Sequence, residues 1–136
     1  MEDIEVSPTR AWELLSRHEK ATLVDVRTDA EWKYVGEPSL VAVPAKLLKL
    51  SWRLPPDMLE NPDFLPRLRQ STEPDSMLFF LCRSGGRSLA AARAAKAAGY
   101  CGSYSIAGGF EGAIDPHGHR GALAGWKHDR LPWVQT

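Results

Sequence analysis

Five consecutive apolar residues, Met77-Leu78-Phe79-Phe80-Leu81, lead directly into Cys82-Arg83-Ser84-Gly85-Gly86-Arg87-Ser88 and then into a run of alanines. A short, unbroken apolar run of this kind belongs in the middle of a parallel sheet, where both faces of a strand are buried. The alanines from Ala90 to Ala98, interrupted only by Arg93 and Lys96, read as a helix that stops at Gly99. The chain therefore passes from a buried strand through a tight glycine loop into a helix. That connection aims backbone N–H groups and the positive end of the helix dipole at one point. The anion available there is the Cys82 thiolate. With Arg83 and Arg87 beside it, the loop would favour thiolate over thiol and make Cys82 a nucleophile at neutral pH. Ser84, Gly85, Gly86 and Ser88 complete the loop as candidate anion-binding positions.

The rest of the sequence sets limits. At 136 residues the chain is expected to be one domain, 1–136, with a substantial core. Seventeen Lys plus Arg balance 17 Asp plus Glu, so no overall field draws it to nucleic acid or to a membrane surface. No apolar run approaches the length of a membrane span. Met1-Glu2-Asp3-Ile4-Glu5 is acidic, whereas a secretory signal starts with basic residues before an apolar core. Two cysteines do not make a disulfide framework, and a reducing, cytoplasmic setting fits them best.

Taken in order, Ile4-Glu5-Val6 is a short strand, and Ser7-Pro8 supplies an N-cap and first position for a helix carrying Ala11, Trp12, Leu14 and Leu15. Thr22 to Val26 is a second strand. Thr28-Asp29-Ala30-Glu31 has the capping-box pattern, so a helix starts directly after Arg27 and runs through Trp32 towards Gly36. Leu40-Val41-Ala42-Val43 reads as the third strand, closed by Pro44. Ser51 to Pro56 is a loop, and Asp57 to Gln70 reads as a helix interrupted by Pro62 and Pro66. Met77 to Leu81 is the fourth strand and Ser103 to Ala107 the fifth. Ala113 to Thr136 is expected to pack as a surface segment with one short helix near Trp126. Strands alternating with helices predict a parallel α/β sheet. Sites in such sheets form beyond the carboxyl ends of the strands. Cys82, the Asp25/Arg27 pair and Gly108-Gly109 each follow or occupy such an end, so three separate segments converge on one edge.

These residues resemble a known family. Cys82-Arg83-Ser84-Gly85-Gly86-Arg87 is similar to the Cys-Arg-x-Gly-x-Arg loop of single-domain rhodaneses, the thiosulfate sulfurtransferase-like proteins. Asp25-Val26-Arg27 with Glu31-Trp32, Gly108-Gly109-Phe110, Gly125-Trp126 and Leu131-Pro132-Trp133 resemble the family's other motifs. Gly36-Glu37-Pro38-Ser39-Leu40 stands where the family often has Gly-His-Ile-Pro-Gly-Ala. The resemblance implies a rhodanese-like three-layer α/β fold, a five-stranded parallel sheet flanked by helices. It also implies a sulfurtransferase. Cys82 would take the outer sulfur of a small anionic donor such as thiosulfate, carry it as a persulfide, and pass it to a thiol or protein acceptor, with no metal or organic cofactor. Arg83 or Arg87 would hold the donor, and the other would pair with Asp25 or Glu31.

Other readings compete. A lone cysteine is often a core residue, and arginines are often solvated, but two glycines, two arginines and a helix start beside Cys82 favour a site. Asp25 is expected to form a structural ion pair rather than to do chemistry. Asp115-x-His117-x-His119 lies in a Gly-rich tail with no third cluster of ligands and reads as a loop, not a metal site. A Cys-based phosphatase or arsenate reductase needs Cys-x5-Arg; here Arg87 comes one position early and Ser88 occupies that place. A non-enzymatic sulfur carrier or regulatory module is the remaining alternative.

Overall fold

A computed structural model describes residues 4–135; the acidic start Met1-Glu2-Asp3 and Thr136 lie outside them. The elements in order are β1 (Glu5–Val6), α1 (Pro8–Arg17), β2 (Ala21–Asp25), α2 (Asp29–Tyr34), β3 (Glu37–Pro38) and β4 (Lys46–Lys49). There follow β5 (Arg53–Leu54), β6 (Leu59–Glu60), α3 (Phe64–Ser71), β7 (Met77–Leu81), α4 (Gly86–Ala97), β8 (Gly102–Ile106) and β9 (Trp133–Val134). Five strands form one parallel sheet in the order β1-β8-β7-β2-β4. The fold is α/β, and its sheet is flanked by helices as the rhodanese resemblance implies.

Side chains on a strand alternate between its two faces, and β7 uses both. Leu78 and Phe80 pack with Phe64 and Leu68 of α3 and with Ala91, Ala92 and Ala95 of α4. Phe79 and Leu81 face the other layer, with Ala11 and Leu15 of α1 and with Phe110, Trp126 and Leu131 from the carboxyl-terminal third. All of these residues are buried, so the continuous apolar run has the physical meaning the sequence suggested. Two helix starts form as their sequences require. The Ser7 hydroxyl accepts the Arg10 N–H at 3.1 Å, and Thr28 and Glu31 close a reciprocal capping box.

Three expectations need correction. The third strand of the sheet is Lys46–Lys49, not Leu40–Val43. Leu40-Val41-Ala42-Val43 is loop and turn, with Val41 95% exposed. The strand that replaces it lies at the sheet's edge, where flanking lysines are tolerated because they reach water or polar partners. Lys49 meets Glu37 at 3.0 Å, and the Lys46 ammonium donates to the Ser71 carbonyl.

The expected helix Asp57–Gln70 begins only at Phe64. The residues before it form the β5–β6 hairpin, with Met58 at positive φ and its carbonyl accepting from Arg53 Nη1 at 2.9 Å. Pro66 then falls in the first helical turn, where a missing N–H breaks no intrahelical bond. Most of the tail is exposed, as expected, but it forms turns, not a helix, near Trp126, and Gly125, Trp126 and Leu131 are buried. Trp126 is wholly buried, meets Trp12 edge-to-face at 5.8 Å and donates its indole N–H to the Pro132 carbonyl at 2.7 Å. β9 pairs antiparallel with β3. In Asp115-x-His117-x-His119 the Asp115 carboxylate accepts the backbone N–H groups of both histidines at 2.9 Å, which is loop geometry.

Candidate active site

The register sets the site. Asp25 ends β2 opposite Leu81, which ends β7, and the Val26 N–H donates to the Leu81 carbonyl at 2.8 Å. The next residue is Cys82. On the other side of β7, β8 ends at Ile106 and the chain turns through Gly108-Gly109. Three carboxyl ends therefore adjoin, as the sequence predicted.

Cys82 is buried, 1% exposed, at the floor of its loop. Its Sγ accepts the Gly85 N–H at 3.1 Å, and its thiol donates to Ser88 Oγ at 3.3 Å. Gly85 has φ +125°, a conformation that a residue with a Cβ rarely adopts. It caps the start of α4 and turns its N–H onto the sulfur. The Ser88 hydroxyl donates to the Gly85 carbonyl at 3.1 Å and shares a 2.8 Å hydrogen bond with Ser105 on β8. A serine hydroxyl carries one rotatable proton, so the same group can donate to the sulfur once the thiol has ionised. The N–H groups of the first helical turn have no intrahelical acceptor and converge on the same region.

The turn after β8 clamps the loop from outside. Phe110 N–H donates to the Cys82 carbonyl at 2.8 Å, and the N–H groups of Glu111 and Gly112 donate to the Arg83 carbonyl at 3.0 and 3.2 Å. With the carbonyls held by that turn, the Gly85 N–H is left for the sulfur. The closeness requires glycine, because a Cβ on Gly109 would lie 2.5 Å from the Cys82 carbonyl oxygen.

The charged residues are engaged with one another. Asp25 and Arg27 form a fully buried bidentate pair at 2.8–2.9 Å. Arg27 also donates to the Gly36 carbonyl at 2.8 Å and lies 4.3 Å from the centre of the Phe110 ring, while its Nη1 is buried without a hydrogen-bond partner. This pair ties the chain after β2 to the loop that replaces the family's usual motif, which is the structural role expected for Asp25.

Arg87 makes a bidentate pair with Glu31, at 2.7 and 2.9 Å, each side chain 19% exposed. Burial alone would raise the Glu31 carboxyl. The Arg87 hydrogen bonds and charge, with Thr28 N–H donation and the Arg27 charge, hold it below the usual carboxylate range. The same partner raises Arg87 against its burial, helped by the negative charges of Cys82 and Asp25. Arg83 is half-exposed, and its Nε donates to Glu111 at 3.1 Å. Lys127 donates to the Val35 carbonyl at 3.0 Å and lies over the Trp133 and Phe110 rings; burial lowers it, Glu111 raises it and Arg27 lowers it further.

Of the predicted positions, Cys82, Gly85 and Ser88 meet at the sulfur. Arg83 and Arg87 flank the loop, Gly86 opens α4, Asp25 and Arg27 lie buried behind, and Ser84 is exposed at the loop's tip. Glu111 and Ser105 were not singled out. Glu111 follows directly on the Gly108-Gly109-Phe110 turn already assigned to this edge, so an acidic residue next to two loop arginines was the available signal.

Residues 4–136 match the STR4 middle domain family. The chain is 40% identical over 128 residues, 94% of each protein, to an uncharacterized RP600 homolog of Rickettsia rickettsii. Its structure is similar to Rv0390 of M. tuberculosis, at 42% identity and TM-score 0.89 over 97% of both chains. Two more distant structures share the fold. One is a polysulfide-sulfur transferase homodimer from Wolinella succinogenes, at 20% identity and TM-score 0.65, over 98% of this chain and 79% of that one. The other is a rhodanese-like domain protein from Staphylococcus aureus, at 21% and 0.52, over 77% and 85%.

Proposed function

The chain belongs to the STR4 middle domain family and has a rhodanese-like fold, and from that premise we propose that it is a sulfurtransferase working through a Cys82 persulfide. One observation carries the reading: the Cys82 sulfur lies in a glycine loop at a helix start, receiving the Gly85 N–H at the carboxyl edge of a parallel sheet. The Cys82 thiolate attacks the outer sulfur of thiosulfate or a related donor. The new S–S bond forms as the donor's S–S bond breaks, and the electron pair leaves with the departing sulfite or thiolate. Loop N–H groups stabilise the anionic sulfur in both half-reactions. An acceptor thiol, on a small molecule or a protein, then attacks the outer sulfur of the persulfide and returns Cys82 as thiolate.

The distant polysulfide-sulfur transferase supports a sulfur-carrying role for this fold. Both cysteines are free thiols, which suits a cytoplasmic protein. No helix among the described residues is long and apolar enough to cross a membrane. A phosphatase reading is disfavoured because Arg87 is already bound through both terminal nitrogens to Glu31.

Intact mass after incubation with a sulfane-sulfur donor tests the proposal. One sulfur gained on Cys82 and removed by cyanide is the expected result. Cys82→Ser should gain none while losing only about 1 kcal/mol of stability or less. Undiminished transfer by that variant would sink the assignment.

A further inference from the structure

Three arginines of the site, Arg27, Arg83 and Arg87, are each matched by a carboxylate. Arg27 is held by Asp25, Arg87 by Glu31 through two hydrogen bonds, and Arg83 by Glu111. Three guanidinium charges therefore meet three carboxylate charges. Lys127 adds a positive charge, and the Cys82 thiolate offsets it. A site built to clamp a dianion would leave a guanidinium fork facing the sulfur. Here the Arg87 fork is closed on Glu31, and the Arg83 charge is met by Glu111 at its Nε.

The charge bookkeeping of the reaction differs between donors. With thiosulfate the approaching pair carries three negative charges before and after transfer: Cys–S⁻ and S–SO₃²⁻ give Cys–S–S⁻ and SO₃²⁻. With a persulfide it carries two or one: Cys–S⁻ and R–S–S⁻ give Cys–S–S⁻ and R–S⁻, or R–S–SH gives Cys–S–SH and R–S⁻. In each case one S–S bond forms, one breaks, and the leaving group takes the electron pair, so no outside oxidant or reductant is needed.

We propose that Glu31 and Glu111 set donor specificity: by closing the Arg87 fork and offsetting the Arg83 charge they turn the site away from dianionic thiosulfate and towards persulfides of organic thiols, which bring less negative charge to Cys82. This rests on the sulfurtransferase reading and narrows its substrate class. Neither carboxylate need touch the donor; each acts by offsetting the charge of an arginine.

The test is the single-turnover rate of sulfur uptake by Cys82, read by intact mass, with thiosulfate and with cysteine persulfide as donors. It compares wild type, Glu31→Gln and Glu111→Gln. Gln at residue 31 can keep the cap on Thr28 while losing the charge. Wild type should favour the persulfide. Freeing either guanidinium should raise the thiosulfate-to-persulfide ratio of specificity constants about tenfold, the scale of one charge-assisted contact. A second measurement needs no variant. Salt screens like-charge repulsion, so raising ionic strength should speed thiosulfate uptake by wild type more than persulfide uptake. Slower thiosulfate uptake in both Gln variants, or slower uptake at higher salt, would overturn this proposal while leaving the sulfurtransferase reading intact. No uptake from either donor would overturn both.

Discussion

Asp25, expected from the sequence to form a structural ion pair rather than to do chemistry, forms that pair with Arg27. Both lie at the carboxyl edge that holds Cys82, yet both side chains are fully buried and bound to each other. Removing one partner of such a pair leaves an uncompensated charge in the interior, which costs about 3–5 kcal/mol. Asp25→Ala should therefore lower unfolding stability by that amount in urea titration, and a loss under about 1 kcal/mol would mean that water reaches Arg27. By contrast, the surroundings of Cys82 were legible because its neighbours in sequence are also its neighbours in space. The Gly85 N–H on its sulfur comes from three residues on. Glu31 and Glu111, 51 and 29 residues from Cys82, reach Arg87 and Arg83 only through tertiary structure. Sequence could name Glu31 as one possible partner but could not decide between it and Asp25.

Pairs and turns that join elements carry the next two predictions. The Glu31–Arg87 pair ties α2 to α4 across the mouth of the loop. Because folding depresses the Glu31 carboxyl, its contribution is fully present above the ordinary value of 4.5 and is lost as pH falls from there through the lowered one. Glu31→Gln should cost about 1–2 kcal/mol at pH 7, discounted for partial exposure. The gap between wild type and variant in thermal or urea unfolding should close as pH drops below 4.5. A gap that stays constant would mean that the pair contributes nothing through ionisation. The Gly108-Gly109 turn makes a sharper case. Gly109 has φ +62°, and an added Cβ would meet the Cys82 and Arg83 backbone at 2.5–2.7 Å. Gly109→Ala should destabilise by about 2–4 kcal/mol and slow sulfur uptake by displacing the loop. A Cβ on Gly86 would meet nothing within 4 Å, so Gly86→Ala should change stability by about 0.5 kcal/mol or less. Equal effects from the two substitutions would refute the buttress. The misread third strand also belongs to this scale. An apolar run marks a central strand, but β4 is an edge strand in which Leu47 and Leu48 face opposite layers between two lysines. Composition alone therefore pointed to Leu40–Val43, whose exposed Val41 only tertiary structure could reveal.

The whole molecule is polar in a sense that composition cannot show: all five strands of the main sheet run the same way, so it has one carboxyl edge and one amino edge. That polarity was legible, because strands alternating with helices leave little other topology. The place of the tail was not, because turns carry no periodic signal and the burial of Trp126 and Leu131 depends on α1 and on distant turns. The amino edge holds an open cleft of about 490 Å³ lined in part by Lys20, Thr22, Lys46 and Ser76. The second cysteine lies on this side of the molecule. Met77 pairs with Gly102, so Cys101 precedes β8 at the level of Ser76, whereas Cys82 follows Leu81 at the far end of β7. A strand of five residues rises about 3.3 Å per residue, which puts roughly 16 Å between the two edges. A disulfide needs its Cα atoms within about 7 Å. Cys101 is exposed and Cys82 buried, on opposite edges of a sheet whose central strands would have to separate before they could meet. Cys101 therefore cannot resolve a Cys82 persulfide within one molecule. Cys101→Ser should keep the wild-type rate of sulfur uptake. Mild oxidation of monomeric protein, followed by non-reducing peptide mapping, should yield no Cys82–Cys101 linked peptide; finding one would mean that the strand order or the direction of β8 is wrong.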